Sequence, residues 1–161
     1  MTRSASLILS LALVVASACG GESDGGPTGT NNTVAGDGSI RATINGVAWR
    51  STKGADRVSK SGQIYAIVGL NLPYAVTLAL TPVTGPGTIS LAVATSNGSS
   101  AIVSGTGGAW GTGLAGGSGS VVITVLTANR IAGTFSFDAV AASGTATGTL
   151  QVRNGTFDVA F

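Results

Sequence analysis

From residue 39 onward the chain is built of short runs in which apolar and polar residues alternate. "SIRATI", "TFSFDA" and "TFDVAF" each place Ile, Ala, Phe or Val at every second position. A period of two puts those side chains on one face of a β-strand, and Gly, Pro and Asn-Gly steps cut the runs at turn-like breaks. The pattern predicts strands near 39–45, 47–53, 62–71, 74–81, 87–95, 99–104, 119–128, 130–141, 144–153 and 156–161. Asn45-Gly46 and Asn154-Gly155 predict two-residue hairpins, because a type I′ turn needs positive φ at both central residues. The second hairpin would set Phe157, Val159 and Phe161 inward beside Leu150 and Val152 and send Asp158 outward. Helix signals are nearly absent. The fold expected is all-β, an antiparallel β-sandwich or barrel of about eight to ten short strands.

The first 38 residues follow a different pattern. One positive charge, Arg3, precedes an apolar run at 7–16, and small residues follow: Ser17, Ala18, Cys19, Gly20. A basic start, a short apolar core and a small-residue end are the parts of a secretory signal peptide. The run is too short for a membrane span, which needs roughly 20 apolar residues. Residues 20–38, "GGESDGGPTGTNNTVAGDG", are too poor in apolar side chains to offset the entropy of ordering and read as a flexible tether. The expected organisation is a signal peptide at 1–18, Cys19 with its tether at 19–38, and an all-β domain at 39–161.

Cys19 is the only cysteine of the chain. "ASAC" behind "LALVV" resembles the lipobox of bacterial lipoproteins. The resemblance implies cleavage before Cys19, attachment of diacylglycerol to its thiol, and anchoring in a membrane. One buried acyl chain holds a protein only marginally, whereas two or three on one residue anchor it stably. By the same resemblance, Gly20 after the cysteine, where Asp would signal retention, implies the outer membrane over the inner one. The fragments "INGVAW" (44–49), "GTISL" (87–91), "GSVVIT" (119–124), "IAGTFSFDA" (131–139) and "NGTFDVAF" (154–161) are similar to a family of uncharacterised bacterial lipoprotein domains. That likeness implies an envelope location and an all-β fold, and assigns no catalytic residue.

Charge is sparse: eight Lys or Arg and six Asp or Glu in 161 residues. Loss of residues 1–18 removes Arg3 alone, leaving seven cations against six carboxylates. No basic patch of nucleic-acid-binding size is visible. Arg50, Lys53, Arg57 and Lys60 cluster around Asp56, which reads as a solvated loop, with contact to lipid headgroups as the sharper alternative. No charged residue lies between Lys60 and Arg130.

The chain contains no histidine. This removes the Ser-His-Asp and Cys-His arrangements and the commonest zinc ligand. Residues 111–116 spell Gly-x-Gly-x-x-Gly, but a strand pattern follows where a dinucleotide site needs a helix. No cofactor and no metal site is expected. Asp138 and Asp158 fall on the polar faces of their strands, which argues against a catalytic carboxylate pair. The remaining candidate is the glycine-rich segment 105–119, where Trp110 and Leu114 are the only large side chains. It reads either as a binding loop for a glycan or peptide, or as a long hairpin whose Trp covers one end of the core. The sequence therefore predicts a membrane-anchored, non-enzymatic structural or binding module. A small barrel carrying an apolar ligand and a surface domain binding glycan or peptide are the alternatives.

Overall fold

A computed structural model describes residues 39–161, and the expectations for the signal peptide, Cys19 and the tether fall outside them. Eleven strands are present: β1 (Ser39–Ile44), β2 (Val47–Arg50), β3 (Arg57–Ser61), β4 (Ile64–Asn71), β5 (Tyr74–Leu80), β6 (Gly87–Ser90), β7 (Ser100–Gly105), β8 (Gly108–Gly111), β9 (Ser118–Leu126), β10 (Arg130–Gly144) and β11 (Thr149–Ala160). All pair antiparallel in one sheet of order β2-β1-β11-β10-β8-β7-β5-β4-β3. The long β10 carries two partners on one edge. β9 pairs with its Ile131–Asp138 stretch and β8 with Val140–Gly144, and β6 pairs with β9. No helix occurs among the described residues.

The sheet curls into a half-barrel. The chain leaving β2 meets the end of β4: Thr52 N donates to Leu70 O at 2.8 Å, and Asn71 Nδ2 donates to Arg50 O at 2.7 Å. Trp49 Nε1 donates to Asn71 O at 3.0 Å. Phe161, just past β11, meets the ring of Tyr65 edge-on with centroids 5.6 Å apart. The concave face collects the alternating apolar residues into one cluster. Ile40 and Ile44, Ile67, Val76 and Leu78, Val103, Val121 and Ile123, Phe135 and Phe137, and Leu150 and Val152 are all buried there.

The turn at Asn45-Gly46 forms as expected, with φ of 47° and 82°. The hairpin expected at Asn154-Gly155 does not form. β11 runs straight through both residues and carries a β-bulge there: Phe135 opposes Gly155 while Phe137 opposes Val152, so β11 has one residue more than its partner. β1 shows the same shift between Arg41 and Thr43. Asn154 has φ of 52°, which the bulge needs as much as a turn would. The extra residue changes the parity of the strand. Leu150 and Val152 before it, and Phe157 and Val159 after it, thereby face the same core. Phe161, expected inside, is 36% exposed at the rim.

Two strands lie where none was expected. β3 occupies the basic stretch read as a loop, and β8 lies within the glycine-rich segment. Among the described residues, Pro73, Pro82 and Pro86 fall outside the strands, where a missing N–H costs no ladder bond.

Candidate functional site

The glycine-rich segment 105–119 is largely built into the sheet. Gly105 ends β7, a tight turn follows, and β8 returns along β7 with Val103 opposite Trp110. Trp110 is half-buried against the core, and its Nε1 donates to Thr147 O at 3.1 Å. Leu114 lies in the turn after β8 and is 44% exposed. It lines a shallow outer cleft of about 300 Å³ with Ile102, Ala109 and Gly111. Trp110 is one residue out of phase with Ala109 and Gly111, on the other face of β8. The structure thus places the two residues on opposite sides of the sheet and does not combine them into one surface.

Thr112 fixes this segment. Its backbone N–H donates to Ala101 O at 2.9 Å, and its Oγ1 accepts from Ala101 N at 2.9 Å in full burial. The hydroxyl thus takes the place of a ladder carbonyl where β8 has ended. Thr112→Val keeps the shape and leaves the Ala101 N–H unsatisfied, so it should lower stability by about 1–3 kcal/mol. Thr112→Ser should retain most of it. Urea melts of the two variants check this; equal midpoints would show that the hydroxyl carries no structural role.

The two candidate carboxylates are separated and engaged. Arg130 forks onto Asp158 at 2.6 and 2.7 Å, and Arg153 Nη2 reaches Asp138 at 2.6 Å. Each pair spans β10 and β11 on the outer, half-exposed face. The hydrogen bonds that Arg130 donates to Asp158 raise the pKa of its guanidinium above the ordinary value. Paired in this way, the carboxylates act as cross-strand ties. Among the described residues, no three Asp, Glu, Cys or His gather as a metal site would require.

A surface that sequence reasoning missed lies where the β1–β2 and β4–β5 turns meet. Ile44, Val47, Trp49, Leu72, Pro73 and Tyr74 line an open cleft of about 330 Å³, with Asn45, Arg50 and Asn71 as its polar members. Leu72 is 82% and Val47 70% exposed. Tyr74 lies over Gly105, close to Trp110, so three aromatic side chains gather at this end of the barrel. The cleft joins residues about 25 positions apart, and the exposed Val47 beside Trp49 was its only local signal.

These features define a class: an all-β domain with a packed concave core, salt-bridged strands and a small apolar cleft at one end. A family model described as a domain of unknown function, DUF6252, matches residues 36–159, and the chain belongs to that family. No curated protein and no solved structure matches the chain.

Proposed function

We propose that this chain is a lipid-anchored lipoprotein of the bacterial envelope, with its β domain serving as a non-enzymatic structural or binding module. The observation that carries this reading is Cys19, the sole thiol, set between an apolar run and a glycine-rich stretch. The family match, residues 36–159, covers nearly all of the stretch read as the all-β domain. An outer-membrane location follows from Gly20 by the same resemblance. The packed core favours a scaffold over a hollow carrier: a Cβ added at Gly69 would lie 3.0–3.1 Å from Ile40 and Trp49. A second reading, recognition of a glycan or peptide, is favoured by the Val47–Leu72–Tyr74 cleft, where the half-buried Tyr74 ring and exposed apolar side chains lie beside the amides of Asn45 and Asn71.

Fractionation tests the anchor. Wild-type protein should remain with membranes after a high-salt wash, and Cys19→Ser should be recovered in the soluble fraction. Intact-mass analysis should show two or three acyl chains on the wild type. A free Cys19 thiol in the mature protein would end the reading.

A further inference from the structure

The domain's positive charge is distributed unevenly. Of its seven cations, Arg130 and Arg153 tie β10 to β11 through Asp158 and Asp138. The other five, Arg41, Arg50, Lys53, Arg57 and Lys60, all lie on β1, β2, β3 or the loop joining β2 to β3. All five are exposed, and Asp56 is the one carboxylate in that stretch. The curl of the sheet brings them together along one seam. Arg41 and Arg50 are direct cross-strand partners. Thr52, next to Lys53, bonds to Leu70, and Arg57 opposes Val68, two residues earlier on β4. Lys60, three residues after Arg57 and so on the other face of β3, stands at the inner rim of the same seam, 5.5 and 5.3 Å from the ring centroids of Tyr65 and Phe161. Between loop and barrel, Lys53, Arg57, Val58, Val159 and Ala160 line an open cleft of about 330 Å³ that also contains Asp56.

The described chain begins in the same place. Ser39 pairs with Asp158, and its neighbour Ile40 exchanges two hydrogen bonds with Ser51, which stands two residues before Lys53. We propose that this basic seam docks the domain on an anionic lipid surface. The inference rests on the lipid-anchor reading. Nineteen residues separate Cys19 from Ser39. Even fully extended, a link of that length reaches no further than roughly 70 Å, which bounds the distance of the seam from an anchored Cys19. Phosphate headgroups complement a row of cations, and the attraction acts within a Debye length of about 10 Å at 0.1 M salt. Phe161, exposed at the rim beside Lys60, adds an aromatic edge suited to the headgroup boundary. Docking would fix the orientation of the domain and hold the Val47–Leu72 cleft at a set angle to the membrane.

Vesicle binding by the mature chain carrying Cys19→Ser isolates the seam from the acyl anchor. This protein should sediment with phosphatidylcholine–phosphatidylglycerol vesicles and not with phosphatidylcholine alone, and added salt should release it. Lys53→Gln with Lys60→Gln should weaken partitioning roughly thirtyfold, about fivefold per charge. Ser104→Glu with Thr106→Glu makes the same change in net charge on the β7–β8 hairpin and should weaken it far less. Lys53→Gln alone, with an unchanged melting curve, separates charge loss from misfolding. Equal binding to both vesicle types, or equal loss in the two double variants, would overturn the proposal. If acylated wild type still fractionates with membranes in that case, the anchor stands and only the docking face falls.

Discussion

Phe157→Ala should lower the stability of the domain by about 3–5 kcal/mol, the usual range for truncating a buried Phe. The residue is 2% exposed. Its neighbours are Ile40 across β1, Gly133 across β10, and the ring of Phe135 at a centroid distance of 6.3 Å. Those contacts join three adjacent strands, and the void left by the ring cannot collapse without moving all of them. The loss is a large share of a typical domain stability of about 5–15 kcal/mol. Asp158→Ala, one residue on, removes a half-exposed cross-strand ion pair worth about 0–1 kcal/mol. A urea melt should therefore show a large fall in midpoint for Phe157→Ala and a small one for Asp158→Ala, at unchanged slope. The reverse order would mean that β11 presents the opposite face to the core.

That pair of residues also shows how far the sequence could be read. Alternation along 156–161 placed Phe157, Val159 and Phe161 inside and Asp158 outside, and the structure agrees except at Phe161, which lies exposed at the rim. The same reading divided β11 in two at Asn154-Gly155, because a positive φ serves a hairpin turn and a bulge alike. Which one forms depends on the partner strands, and β10 and β1 both run past the site. β3 was hidden for another reason. Four of its five residues are exposed, so it has no alternation to detect, and its charges suggest a loop. β8 is four residues with a single large side chain, below any periodic signal. The Val47–Leu72 cleft was illegible because two distant turns create it. Trp110, by contrast, was placed by the sequence either in a binding loop or over one end of the core, and it packs against the core.

Gly133→Ala should be at least as damaging as Phe157→Ala, for a reason found in the same place. Gly133 lies in mid-β10, opposite Phe157 and beside a shift in the pairing with β9 between Ala132 and Gly133. A Cβ there would overlap the carbonyl oxygen of Val122 and come within 2.8 Å of the Phe157 ring. The ring could move aside at some cost, but the carbonyl belongs to the backbone of a paired strand. The methyl group must therefore push β9 away from β10 at the centre of the sheet. Overpacking alone typically costs about 1–3 kcal/mol, and lost ladder bonds add to it. Gly85 is the control: nothing lies within 4 Å of its Cβ position and its φ is not in the left-handed region. Gly85→Ala should leave stability unchanged or raise it by up to about 1 kcal/mol by restricting the unfolded chain. The double variant Gly133→Ala with Phe157→Ala should lose less than the sum of the two single losses, because removing the ring relieves one of the two clashes. Strict additivity would mean that the ring does not sit over Gly133. A midpoint for Gly133→Ala matching that of Gly85→Ala would mean that β9 and β10 pair in a different register.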